Sequence, residues 1–345
     1  MSNRIDLATA DPDNGGHIGP GVMRQAAALL RKGKLVAVPT ETVYGLAADA
    51  TQTNAVARIF AAKGRPSFNP LIIHVSGTDM AQRCGRFNEV AMGLADAFWP
   101  GPLTLVIPIS PDAKLAPAIT AGLDTVAIRH APGAMAQLAR MIDAPLAAPS
   151  ANSSGRTSPT EAAHVAKDLG DRTDLILDGG ACTVGLESTI VRPSDDGHII
   201  ILRRGAVTEA HLAPFGTVSV ADEASDETGP ASPGQLLAHY APSVPLMMNV
   251  DRPQPNQGWI AFGADYPASL NGNAAAFQLS ATGDVEEAGR HLYGAILALD
   301  RAGVASIAVA PIPNFGVGKA INDRLRRAAT GSQNPHSTRK NTIQS

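Results

Sequence analysis

The stretch AAKGRPSFNP, residues 61–70, places Lys63 and Arg65 at the end of a helical run, beside a turn rich in Pro, Ser and Asn. Two cations at such an end are suited to an anion. A guanidinium grips phosphate or carboxylate oxygens in a bidentate fork, and a lysine serves as a mobile point charge. Hydroxyls, amides and cations recur in the neighbourhood of five further stretches: PTETVYGL (39–46), TVAIRH (125–130), APSANSSGRTSPT (148–160), GLEST (185–189) and LRRGAV (202–207). In α/β sheets the loops at the C-terminal ends of strands converge on the ligand crevice. These stretches, with Arg129 and Arg203 at strand or loop ends, are therefore expected to meet in one polyanion-binding crevice.

Other common phosphate and hydrolytic motifs are absent from the sequence. It contains no G-x-x-x-x-G-K-[ST] loop, no H-E-x-x-H and no G-x-S-x-G. GVGKA at 316–320 is too short and too late in the chain for a dinucleotide fingerprint. No side-chain nucleophile stands out, so the expected chemistry is charge neutralisation and orientation of bound reactants.

The elements that must position these groups alternate. Residues 21–33 read as a helix closed by Gly33, and KLVAVPT then reads as a short buried strand. Helical NAVARIFAAK, NEVAMGLADAFW and GAMAQLARMI alternate with strand-like LIIHV, LTLVIPI, TVAIR and PLAAPS. PTEAAHVAKDL is expected to carry Pro159 and Glu161 in a first helical turn. Three strand-like runs follow without helices, DLILD, STIVRP and HIIILRR, which predicts a mixed sheet. Residues 219–236 hold four acids, no bases and several Gly, Pro and Ser, the composition of a linker. Beyond it, VPLMMN, GWIAFG, AAFQLS and SIAVAPI read as strands, and DVEEAGRHLYGAILALDRAG and KAINDRLRRAA as helices. They predict a smaller α/β domain ahead of a polar tail.

At 345 residues the chain is long for one core, and two domains are expected. Lys and Arg number 28 against 31 Asp and Glu, so bulk charge does not announce a nucleic-acid binder. Cys84 and Cys182 match neither a metal-ligand spacing nor a disulfide framework, which suits two packed thiols in a reducing compartment. The N-terminus has acids and glycines where a secretory signal needs a basic end and an apolar run, and no window approaches the ~18 apolar residues of a membrane helix. The expectation is a cytoplasmic protein without membrane contact.

Taken together and in this order, PTETVYGL, K-x-R-P with the following N-P-L, and S-x-N resemble the YrdC-like family of threonylcarbamoyl-AMP synthases over roughly residues 18–210. SPGQLLAHYAP (232–242), followed by a small α/β domain, looks like the two-domain branch of that family. Family members often carry a cation and an extra aromatic where this chain has Gln235, Leu236, Leu237 and Ala238, so Tyr240 is the linker contact that carries over.

The resemblance implies a YrdC-like twisted mixed sheet at 18–215, a linker and lid at 216–243, a Rossmann-like α/β domain at 244–332 and a flexible tail at 333–345. It implies condensation of L-threonine, bicarbonate and ATP to threonylcarbamoyl-AMP and pyrophosphate, with Mg2+ accompanying the nucleotide. Downstream proteins would pass the threonylcarbamoyl group to tRNA. Carried over residue by residue, Lys63 and Arg65 would face the phosphates and the bicarbonate-derived carboxylate as the catalytic cations. Thr42, His74, Arg129 and Ser188 would surround threonine. Arg65, Asn69, Thr125, Ser150, Asn152, Ser158, Arg203 and Tyr240 would surround ATP.

Two alternatives come with the resemblance. YrdC-like domains resemble a double-stranded RNA-binding fold, implying at least a weak RNA contact, yet residues 1–215 carry 19 bases against 20 acids. They also occur in carbamoyltransferases, whose zinc-finger and acylphosphatase-like regions have no room in this chain.

Overall fold

A computed structural model describes residues 7–9 as backbone, and residues 18–221, 239–264 and 275–333 in full. The chain divides into two compact units. Met1–Ser153, Pro159–Thr183 and Glu187–Gln235 form the first; Ser154–Ser158, Val184–Leu186 and Leu236–Ser345 form the second.

The first unit is a mixed sheet of strands β1 (Leu7–Thr9), β2 (Val36–Val38), β3 (Gly45–Asp49), β4 (Ile72–His74), β5 (Leu103–Pro108), β6 (Thr125–Arg129), β7 (Leu146–Ala147), β8 (Leu175–Asp178), β9 (Thr189–Pro193), β10 (His198–Arg203) and β11 (Thr217–Val220). Their spatial order is β1-β8-β2-β3-β7-β4-β6-β5-β9-β10-β11. The helices are α1 (Pro20–Arg31), α2 (Thr53–Lys63), α3 (Thr78–Cys84), α4 (Glu89–Phe98), α5 (Ala134–Ile142), α6 (Ala162–Leu169) and α7 (Glu209–Leu212). Local chemistry sets several ends. Pro20 suits the first turn of α1, Asn88 caps α4 by accepting the Ala91 amide at 2.7 Å, and Gly64 closes α2 at a left-handed φ of 60°.

The mixed character expected from the three helix-free strand runs is present, but only the last two runs, β9 and β10, lie side by side, and β8 sits elsewhere in the sheet. β8 pairs in parallel with β1 and β2, whereas β9 pairs with β5 and, antiparallel, with β10. Three further departures are informative. GLAAD, for which the sequence predicts no strand, is β3, and β2 and β7 hydrogen-bond it on both sides. The helix expected to contain Pro159 and Glu161 starts at Ala162, with Glu161 as its cap. Thr217–Val220, expected within the linker, pairs in parallel with β10; residues 222–238 lie outside the described residues, as does the tail beyond 333.

The sheet has two unlike faces. Ile73, Leu105, Ile107, Val126, Ile128 and Val191 belong to the main core, which includes residues of α1, α2, α4 and α5. With a side-chain period of two, the alternate positions point the other way. There a small separate cluster forms from Ile72, Val106, Ala127 and Ile190, with Leu202 against it.

The second unit has four parallel strands, β12 (Leu246–Met247), β13 (Gln257–Ala261), β14 (Ala276–Gln278) and β15 (Ser306–Val309), in the order β12-β15-β13-β14. Helices α8 (Val285–Arg301) and α9 (Gly318–Gln333) complete it. Asp284 caps α8 by accepting the amides of Glu286 and Glu287.

Candidate active site

The PTETVYGL stretch turns on Thr40, whose hydroxyl donates to the Val43 carbonyl at 2.6 Å and accepts the amides of Thr42 and Val43. That hydroxyl has one proton. In its 2.8 Å contact with Thr42 Oγ1, Thr42 must therefore be the donor. Arg129 Nη1 in turn donates to Thr42 Oγ1 at 2.8 Å. Backbone bonds lace this stretch to the S-x-N stretch: Leu46 N donates to Pro149 O, and Ala151 N to Tyr44 O at 2.7 Å. Gly45 permits the approach, since a β-carbon there would sit 3.2 Å from that of Ala148.

Arg129 ends β6, beside His74 at the end of β4, its register partner. Arg129 is 4% exposed, and its guanidinium reaches three acceptors: Gly101 O (3.1 Å), Thr42 Oγ1 and Glu41 Oε1 (2.5 Å). Burial first, and then the Arg129 charge, pull the His74 pKa well below the ordinary histidine value, so its imidazole stays neutral.

Across the same sheet face, Ser188 Oγ and Thr104 Oγ1 lie 2.7 Å apart, and Arg203 donates to the Ser188 carbonyl and hydroxyl. Gly205 lets the LRRG chain pass: a β-carbon there would fall 2.5 Å from Thr189 N.

The K-x-R cations are buried. Lys63, the last residue of α2, donates from Nζ to Ser150 O at 2.5 Å and to Asn152 O. Burial, followed by the charge of Arg65, draws its pKa well below the ordinary lysine range. Amine and ammonium alike can make those two donations. Arg65 holds its own loop, donating to Asn69 Oδ1 (2.6 Å), Asn69 O (3.2 Å) and Pro70 O (2.8 Å). Lys63 thus stands at the end of a helical run, as expected, and its buried side chain ties the K-x-R segment to the S-x-N segment.

The structure brings Thr42, His74, Arg129, Ser188 and Arg203 onto or beside one sheet face, and joins Lys63 to the stretch holding Ser150 and Asn152. Thr125 departs from the expected convergence at strand C-terminal ends. It begins β6, about 13 Å along the strand from Arg129 at ~3.3 Å per residue, but on the same face, with Ala127 between them. The candidate site residues thus spread along a length of sheet face and not only over a cluster of loops. Ser158 and Tyr240 belong to the second unit. There Tyr240 is 1% exposed, its ring stacks on Tyr293 at 5.7 Å, Arg324 lies over it at 5.1 Å, and its carbonyl accepts from Thr157.

Sequence reading assigned nothing to Glu41 or Thr104. Glu41 stands between two threonines of a quoted motif, a signal that attention to hydroxyls and cations passed over. Thr104 has no signal beyond strand propensity. Cys84 and Cys182 are both buried thiols, with pKa values pushed up to about 11 and about 12, in each case chiefly by burial.

Comparison with known proteins decides the family. A model described as telomere recombination, Sua5_yciO_yrdC, matches residues 28–205, and one described as threonylcarbamoyl-AMP synthase, C-terminal domain, matches 206–330. The threonylcarbamoyl-AMP synthase of Bacillus subtilis is 41% identical over 94% of this chain and 95% of its own. The chain belongs to the two-domain Sua5 family of threonylcarbamoyl-AMP synthases. Its Sua5 relative from Pyrococcus abyssi, also named threonylcarbamoyl-AMP synthase, is 40% identical over 89% of this chain and 94% of its own. A crystal structure of P. abyssi Sua5 complexed with L-threonine matches with a TM-score of 0.80, at 37% identity over 92% of this chain and 96% of that one. The mixed sheet with a smaller parallel-sheet unit is the Sua5 architecture. Among the described residues, no helix is long and apolar enough to cross a membrane.

Proposed function

We propose that the chain is a cytoplasmic nucleotidyltransferase that condenses L-threonine, bicarbonate and ATP to threonylcarbamoyl-AMP and pyrophosphate, for transfer to tRNA by downstream proteins. The observation that carries the substrate assignment is the buried face formed by Arg129, Thr42, His74 and Ser188. It combines a guanidinium for a carboxylate with hydroxyls and a neutral imidazole able to orient an amino and a hydroxyl group. The threonine-bound Sua5 relative, at a TM-score of 0.80, supports the same reading.

The threonine nitrogen attacks the bicarbonate carbon, giving a carbamate with loss of water. A carbamate oxygen then bonds to the α-phosphorus of ATP as the bond to pyrophosphate breaks. Both partners in the second step are anions, so the protein must neutralise charge and hold the attacking oxygen in line. In this assignment Arg65, Asn69, Thr125, Ser150, Asn152 and Arg203 hold the nucleotide along the sheet face, while Lys63 fixes the S-x-N stretch and supplies charge. An anion beside Lys63 would restore the proton that burial disfavours. Mg2+ fits as a companion of the triphosphate. The residues assigned to the nucleotide offer hydroxyls, amides and carbonyls and no carboxylate, so phosphate oxygens and water would provide most of its shell.

The test is incubation with ATP, threonine and labelled bicarbonate. Pyrophosphate and a labelled adenylate are expected only with all three present, and equal pyrophosphate release without an amino acid would overturn the reading.

A further inference from the structure

Glu41 has a side chain only 13% exposed, and it uses one oxygen: Oε1 accepts from Arg129 Nη2 at 2.5 Å. The other, Oε2, is buried and has no hydrogen-bond partner among the described residues. A buried carboxylate oxygen without a donor is unfavourable, so its retention at this place needs a reason. The neighbours do not supply a donor. Thr42 gives its single hydroxyl proton to Thr40, and Arg129 directs its other bonds to Gly101 and Thr42. Cys182 and His130 also feel the Glu41 charge, and neither bonds to Oε2.

The unfilled acceptor belongs to the carboxylate that Arg129 holds while it also donates to Thr42, one of the groups assigned to threonine. An α-amino acid carries a carboxylate and an ammonium on one carbon, and the Arg129–Glu41 pair presents the opposite charges side by side. Of the three side chains placed around Arg129 (Thr42, His74 and Glu41), only Glu41 is a carboxylate. The geometry points to Glu41 Oε2 as the acceptor for the α-ammonium of threonine, making Glu41 the residue that selects an α-amino acid over the same acid without its amine. This rests on the proposed function and deepens it by assigning the amine's partner.

The experiment is calorimetric titration of the full-length protein with L-threonine and with 3-hydroxybutyrate, which keeps the carboxylate and hydroxyl but lacks the amine. Wild type is expected to prefer threonine. In Glu41→Gln, threonine should weaken tenfold or more while 3-hydroxybutyrate changes less than twofold, so the preference collapses. If Glu41 only props Arg129, both ligands weaken together, and that result, or an unchanged preference, overturns the assignment while leaving threonine binding intact. If wild type binds no threonine, the functional reading fails and this assignment with it. Should Glu41→Gln not fold, Glu41→Asp decides: the shortened carboxylate should lose part of the threonine affinity alone, and parallel loss of both ligands would overturn the proposal.

Discussion

Arg129 in the first unit and Arg324 in the second are both almost fully buried arginines, each with a carboxylate close by, yet they are built differently. Asp323 receives Arg324 at 2.6 Å on one oxygen and Arg327 at 3.2 Å on both, with Arg326 at 3.8 Å; Arg324 also covers the Tyr240 ring. Burial raises the Asp323 pKa, but Arg324 and Arg327 outweigh it and hold the carboxyl below its ordinary value. Every oxygen there is engaged, by a cluster that lies within α9 and reaches beyond the helix where Arg324 covers Tyr240. Beside Arg129, the neighbouring carboxylate keeps an oxygen without a donor, and the His74 Nδ1 likewise has no partner among the described residues. A saturated buried ion pair serves packing, and an unsaturated one is poised for a ligand.

The sharpest way to break this contrast is to remove each arginine. Arg324→Met should cost about 3–5 kcal/mol of stability, because it leaves Asp323 buried without its nearest partner. A denaturation midpoint unchanged in the full chain would show the pair to be dispensable. Arg129→Lys keeps a charge near Glu41 but loses the fork to Gly101, Thr42 and Glu41. Threonine-dependent pyrophosphate release should fall about a hundredfold, with a smaller change in melting than Arg324→Met produces. The reverse ranking would place Arg129 among the structural pairs.

The smallest effect sharpens the same contrast through pH. His74 has a folded-state pKa below its unfolded value of about 6.5, so the unfolded chain binds the proton more readily. Its contribution to stability is present above that unfolded value and declines as pH falls below it toward the lowered folded value. His74→Gln should flatten the part of the stability profile just below pH 6.5. An identical slope in the variant would mean that His74 is not held neutral by its surroundings.

Much of the site was legible because its pieces are local. The helix ending at Lys63, the glycine after it, and the asparagine five residues beyond Gly64 specify a tight loop whose Arg65 folds back on Asn69. Alternation along TVAIR already puts Thr125, Ala127 and Arg129 on one side. What alternation could not reveal is which side is packed by helices, so the reading looked to loop ends and missed the face itself. β3 escaped for a related reason: GLAAD has little strand propensity, and two neighbouring strands far away in sequence hold it extended.

Sequence by itself determined the cations, the hydroxyl-rich turns and the family they belong to, since turn chemistry, helix ends and motif order act over a few residues. Tertiary structure alone decided their partners. Lys63 meets Ser150 across 87 residues, and Glu41 meets Arg129 across 88. Whether a buried cation ends on a carbonyl, a saturated carboxylate or one with an oxygen to spare depends on which distant strands become neighbours. Sheet pairing sets that, and no local pattern encodes it.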